Sequence, residues 1–277
     1  MNSINERYKQ AAPNGACSRR CKIFHTLVGV FTNKLLYPIF FLNLPYKDNN
    51  ILSATYGEAP LATGGGEGQG VRAITIVDYG AGNIASIQNM LKKIGVKAVM
   101  GSDEFSIEQA DKLILPGVGA FDTCAQQLQE SGLQEVLHKK VIGDKTPVLG
   151  ICVGMQLMTG GSEEGVLPGL GWIKGRVVKF NKEKIPGHLK IPHMGWAEAA
   201  LNKPSRLFED MYEAPRFYFV HSYYVLPEDD NDILAYAVHG NKFAAGLERD
   251  NITGVQFHPE KSHKYGMKLL ENFVKNY

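Results

Sequence analysis

Cys152 stands between Gly150 and Gly154 in the stretch TPVLGICVGMQLM, residues 146–158, after an apolar run and before a helix-like one. Pro-Val-Leu-Gly-Ile reads as a short buried strand, and Val-Gly-Met-Gln-Leu-Met as the opening of a helix. A Gly-x-Cys-x-Gly elbow between the two strains the cysteine's backbone, needs both glycines for the close passage of neighbouring chain, and points the thiol off the sheet. A helix amino terminus beside the sulfur favours thiolate over thiol. Free cysteine is also a common buried hydrophobe, and the elbow alone does not separate the two readings.

A nucleophilic thiol needs a base, and the base needs a group that fixes its tautomer. The stretch GVQFHPEKSH supplies both. Residues 254–257 read as the end of an apolar strand, so His258 emerges at a carboxyl edge, where α/β sheets place their sites. Pro259 turns the chain, and Glu260 reaches back towards the imidazole. Alone, His-Pro-Glu reads as a solvated loop start; beside the elbow, packing is a poor explanation of both. Acyl chemistry also needs donors for an oxyanion. The elbow offers the N–H of Val153. The glycine-rich loop LPGVGAF, residues 115–121, can offer another, with Gly117 and Gly119 allowing close approach or a turned peptide plane. A phosphate cradle competes for this loop, but no G-x-x-x-x-G-K-[ST] follows.

These residues need a frame, and from Ala73 onward the periodicity is that of an α/β domain. AITIVD, KLILPG and TPVLGI read as buried strands. Residues 83–95 read as a helix with Ile84, Ile87, Leu91 and Ile94 on one face, closing on Gly95. Residues 171–180, 216–220, 233–239, 243–249 and 252–257 read as further strands. A last helix over 262–276 turns Met267, Leu270 and Phe273 to the sheet.

The first seventy residues differ. Residues 7–47 hold no Asp or Glu, and the apolar stretch 23–44 is broken by Lys34 and Pro38, a poor membrane span. Its three readings are a targeting leader, a weak membrane-surface segment, and translation begun upstream of a native start at Val71; the last is favoured. Residues 62–70, ATGGGEGQG, have linker composition. The expected division is therefore a poorly structured leader over 1–70 and one domain over 71–277.

Over all 277 residues the hydrophobic share is 44%, ordinary for a globular chain, and the net charge of +2 shows no basic stripe of the kind nucleic acid requires. The four cysteines, Cys17, Cys21, Cys124 and Cys152, do not form a disulfide framework and point to a reducing cytoplasm. Cys17 and Cys21 lack a second ligand pair for zinc.

Gly-Ile-Cys-Val-Gly-Met-Gln at 150–156 with Gln-Phe-His-Pro-Glu-Lys-Ser at 256–262 resembles the class I glutamine amidotransferases. DYGAGNI from Asp78, PHMGW from Pro192 and FVHSYY from Phe219 are similar to the glutaminase subunits of imidazole glycerol phosphate synthases. The resemblance runs from about Ala73 to the end. It implies a central, mostly parallel sheet flanked by helices, with additional antiparallel strands. It also implies hydrolysis of L-glutamine to glutamate and ammonia, without metal or organic cofactor, the ammonia passing to a (β/α)8 cyclase in a heterodimer.

By the same resemblance Cys152 attacks the amide, His258 shuttles the proton and Glu260 orients His258. Val118, in the loop 116–119, joins Val153 in the oxyanion hole. Gly117, Gly119, Gln156, His221, Ser222 and Tyr223 match substrate-binding positions. Asn83, Met194, Trp196 and Lys261 match the partner face. Met194 and Trp196 can also be ordinary core, Asn83 a helix cap, and Tyr223 a common sheet residue. Other readings stay open: a glutaminase serving a surface-sugar synthase, a stand-alone glutaminase, a cysteine peptidase on a related fold, and a silent partner-binding domain.

Overall fold

The computed structural model describes residues 74–277. The leader expected over 1–70, Cys17 and Cys21 within it, lies outside the described residues. The described chain runs β1 (Ile74–Val77), α1 (Ile84–Lys93), β2 (Ala98–Gly101), α2 (Glu104–Glu108), β3 (Lys112–Gly117), α3 (Phe121–Glu130), α4 (Gln134–His138), β4 (Val148–Cys152) and α5 (Val153–Leu157). It continues through β5 (Gly175–Lys179), β6 (His193–Glu198), β7 (Ala200–Leu201), β8 (Arg216–His221), β9 (Tyr223–Pro227), β10 (Ile233–His239), β11 (Asn241–Arg249) and β12 (Ile252–Val255) to α6 (His263–Asn276).

Eight strands form one sheet in the order β2-β1-β3-β4-β12-β11-β10-β7. The first five are parallel, and β11, β10 and β7 continue the sheet antiparallel. β5 pairs with β9 and β6 with β8 in two small antiparallel sheets. The fold is that of the class implied by the resemblance.

The topology explains where the site must lie. From β1 the chain crosses to β2 on one side and then returns past β1 to β3 on the other. Right-handed crossovers then put α1 and α2 on opposite faces. The helix contacts agree: α1 packs on α6, while α2 packs on α4 and α3 on α5. The carboxyl ends of β1 and β3 flank the point where strand order reverses, the usual place for a ligand crevice.

β1, β3, β4 and β12 are buried from end to end, which is why they read as unbroken apolar runs. The charged exception in these strands is Lys112, which opens β3 at 2% exposure. Its Nζ donates to the carbonyls of Phe273 and Val274 in the last turn of α6, where a cation complements the helix dipole.

Several expected boundaries move. The strand expected over 171–180 begins only at Gly175, because Gly171 has φ +66° and breaks the extended run. β12 ends at Val255, so His258 stands three residues beyond the strand. The last helix begins at His263, with Ser262 at its N-cap.

Candidate active site

Four loops leave the parallel strands at one edge: residues 78–83 after β1, 118–120 after β3, the elbow after β4, and 256–262 after β12. Cys152 is the last residue of β4 and the cap of α5, with φ +55° and ψ −112°. For a residue with a Cβ this backbone is strained, as expected of a nucleophile elbow. The strain is held by close packing on both sides. A Cβ on Gly154 would lie 1.9 Å from the Leu115 carbonyl oxygen, and one on Gly117 would lie 2.5 Å from the Gly154 nitrogen. The ends of β3 and β4 are thus wedged together at Gly117↔Cys152. Gly117 serves this contact, whereas Gly119, with φ +110°, supplies the left-handed backbone of the loop.

His258 Nδ1 lies 2.8 Å from Glu260 Oε1, with both side chains no more than 2% exposed. The imidazole is also within hydrogen-bond reach of the Cys152 thiol. Burial opposes its protonation, but the Cys152 charge and hydrogen bond, followed by those of Glu260, outweigh this and push its pKa up to about 10. The sulfur has a second neighbour: Gln256 Nε2 donates to Cys152 Sγ at 3.7 Å, and Gln156 Nε2 donates to Gln256 Oε1 at 3.0 Å and to the Tyr223 carbonyl at 3.2 Å.

The thiol opens into a cleft of about 270 Å³. Val118, Gly119, Val153, Gln156, His221, Ser222, Tyr223, His258 and Lys261 line it, together with Glu164, Pro192 and Val220. Gly117, expected at the substrate, does not line it and packs on Val153 and Gly154 instead, and Glu260 reaches the cleft only through His258. Glu164 does not emerge from the sequence reading. It sits in the loop after α5, and its Oε2 accepts the Phe121 N–H at the start of α3 at 2.9 Å. In return, Asp122 accepts the N–H groups of Val166 and Leu167 from that loop.

Met194 and Trp196 do not line the cleft. They are 63% and 39% exposed on β6, so the alternative that they are ordinary core is overturned. Trp196 stacks on His263 at 5.6 Å and meets the Tyr218 ring edge-on, while Lys261 Nζ lies 5.9 Å from the centre of the same Tyr218 ring. An exposed aromatic patch thus runs up to the cleft mouth. Asn83 occupies the N-cap position of α1, as the cap alternative has it, and its carbonyl accepts the Ile87 N–H, although its side chain makes no capping hydrogen bond. α1 packs on the Pro259–Lys261 turn, which places that helix beside the same rim.

Beneath the cleft, His193 stacks on His239 at 4.2 Å, and its Nδ1 lies 3.3 Å from His221 Nε2. His221 Nδ1 faces the Tyr223 carbonyl at 2.8 Å and so carries its proton there, which leaves Nε2 to accept from His193. Burial, then the charge of His239, lowers the His193 pKa to about 4. Burial likewise lowers that of His221 to about 3, against the Tyr223 hydrogen bond. Both rings are neutral when folded and protonate near pH 6.5 when unfolded. Between about pH 6.5 and 4 the unfolded chain binds more protons, so stability falls as pH falls, by up to about 1.4 kcal/mol per pH unit for each ring. Urea titrations across that window are expected to show this slope, and His193→Asn is expected to reduce it by up to one proton.

Among the described residues no group of His, Cys, Asp and Glu is placed to hold a metal ion, and no helix is long and apolar enough to cross a membrane.

A family model described as glutamine amidotransferase class-I matches residues 75–277. The imidazole glycerol phosphate synthase subunit HisH 2 of Methanococcus maripaludis is 53% identical over 202 residues, which cover 73% of this chain and 98% of that protein. The subunit of the same name from Pseudomonas aeruginosa is 50% identical over 201 residues, with the same coverage of each. Among solved structures, PurLQS from Thermotoga maritima (TM-score 0.56, 17% identity, 73% of this chain and 97% of that one) has the same fold. So does a structure described as a glutamine amidotransferase (TM-score 0.56, 17% identity, 74% and 98%).

Proposed function

We propose that this chain, which belongs to the class I glutamine amidotransferase family, is the glutaminase subunit of an imidazole glycerol phosphate synthase. In this reading residues 71–277 form the amidotransferase domain, and it works in the cytoplasm. The observation that supports it most is the joining of Cys152, on its strained elbow, with the buried His258–Glu260 pair in one cleft.

The geometry is compatible with the following chemistry. L-Glutamine lies with its side-chain amide carbon at Cys152 Sγ and its α-ammonium towards Glu164, the acid lining the cleft. Sulfur attack forms the C–S bond and puts negative charge on the amide oxygen, which the N–H groups of Val153 and Val118 receive. The C–N bond then breaks as His258 gives its proton to the leaving nitrogen, releasing ammonia and leaving a thioester. Water attacks the thioester, His258 takes its proton, and the thiolate departs from glutamate. Glu260 holds the imidazole throughout, and Gln156 and the 221–223 backbone seat the amino-acid end.

Ammonia released into water becomes ammonium and loses its nucleophilicity, so a synthase gains from a closed joint with the glutaminase. Met194, Trp196, Lys261 and Asn83 form the rim proposed to seat a (β/α)8 cyclase. The test is to mix the purified chain with that cyclase subunit and measure complex formation and glutamine hydrolysis. A heterodimer with stimulated hydrolysis is expected. Trp196→Ala is expected to weaken assembly by about tenfold or more, as removal of a buried interface aromatic does. Hydrolysis that ignores the cyclase but responds to a surface-sugar synthase would reassign the partner.

A further inference from the structure

The oxyanion donor assigned to Val118 is the N–H of the Gly117–Val118 peptide, and the structure holds the peptide planes on both sides of it. On one side, the Tyr79 hydroxyl donates to the Pro116 carbonyl at 2.6 Å. On the other, the Cys124 thiol donates to the Val118 carbonyl at 3.5 Å. Tyr79 belongs to the loop after β1 and Cys124 to α3, so two separate elements reach the same turn. Both side chains are buried, at 4% and 0% exposure. Burial, the largest influence on each, raises both pKa values, so both groups remain protonated donors. The β1 loop is seated on Pro116 a second time: a Cβ on Gly82 would lie 2.6 Å from Pro116 Cβ.

A peptide plane turns by opposite changes in the ψ before it and the φ after it, and its neighbours stay still only if something holds them. We propose that Tyr79 and Cys124 are positioning residues for glutamine hydrolysis. They fix the 116–117 and 118–119 planes, so that presenting the Val118 N–H is a rotation of one peptide and not a movement of the whole loop. This rests on the glutaminase reading above. Neither residue touches substrate, and each acts through a backbone carbonyl. The brace differs from the catalytic pair in what it governs: the donor that receives charge in the transition state, and neither the thiolate nor the seat of the amino acid.

The test uses the full chain with its cyclase partner. Tyr79→Phe and Cys124→Ala each remove one donor with little change of shape, and Cys124→Ser restores a donor. Losing one oxyanion donor outright costs about 10²–10³ in kcat, so loosening one is expected to cost about tenfold. The expected result is that fall in kcat for Tyr79→Phe and for Cys124→Ala at unchanged KM, with Cys124→Ser within about twofold of the parent. The rate of Cys152 alkylation by iodoacetamide, read by mass spectrometry, is expected to stay the same, because it needs the thiolate and no oxyanion hole. Unchanged kcat, a loss expressed in KM, or slowed alkylation would overturn the brace while leaving the glutaminase reading standing. A parent complex that does not hydrolyse glutamine would overturn that reading, and the brace with it. Should Tyr79→Phe fail to fold, the contrast of Cys124→Ala with Cys124→Ser decides.

Discussion

Cys152→Ala is expected to abolish glutamine-dependent synthesis and to leave ammonium-dependent synthesis by the complex intact. In the proposed mechanism the thiol forms the bond that every later step needs, and removing the nucleophile of a coupled set costs on the order of 10⁴-fold or more. Alanine removes only the sulfur, so the elbow keeps its Cβ, its φ of +55° and its wedge against β3. The partner's surface and its own chemistry are untouched. Steady-state rates with glutamine and with ammonium chloride, measured on one preparation of the complex, check the claim. Loss of both activities would make Cys152 structural, and retained hydrolysis would place the nucleophile elsewhere.

Behind the thiol, His258→Ala is expected to reduce hydrolysis by about 10³–10⁴-fold, and Glu260→Gln by about 10–10²-fold. Alanine removes the group that moves the proton. Glutamine at 260 still offers an oxygen to Nδ1 but carries no charge, so one of the influences raising the His258 pKa is lost. The imidazolium contributes stability below its unfolded value near 6.5, and this is lost as pH rises through about 10. In Glu260→Gln that loss is expected at lower pH. The double variant is expected to be no slower than His258→Ala alone, because members of one unit are not additive. Iodoacetamide alkylation of Cys152 provides an independent measure: its rate at neutral pH should fall in His258→Ala, where the imidazole beside the sulfur is gone.

The inner parallel strands of the sheet were legible because they are buried on both faces. The runs AITIVD, KLILPG and TPVLGI have no competing period; β1 and β3 lie within the first two, and β4 fills the end of the third and runs one residue past it to Cys152. The strands less visible in sequence are those with mixed surroundings. β2 exposes Val99 and Met100 at the sheet's edge, and β6 alternates around Gly195, whose φ of +141° interrupts the pattern. α3 carried a usable signal in Phe121, Cys124, Ala125 and Leu128, which share a helical face and are all buried.

The site divides in the same way. Cys152, His258 and Glu260 were readable because turn-forming residues bracket them and fix which side chain meets which. Glu164 is one of two adjacent acids in a turn-rich loop, and only the fold decides that it faces Phe121 and the cleft. Gln256 follows a strand end, where alternation no longer says which way a side chain points. Tyr79 and Cys124, far apart in the chain, meet through two carbonyls, and backbone acceptors leave no trace in residue type.

The wedge of Gly117 and Gly154 between β3 and β4 has a consequence for descent. The residues proposed to perform hydrolysis are locked to one another along a single edge, whereas Met194 and Trp196, proposed to face the partner, are exposed on β6, which the wedge does not constrain. On the proposed assignment, substitutions can accumulate on that strand without disturbing the nucleophile, so a lineage could exchange the partner docked there while inheriting the hydrolytic edge unchanged. A graft of the rim alone should therefore transfer allegiance, whereas a graft of one wedged strand without the other should not fold.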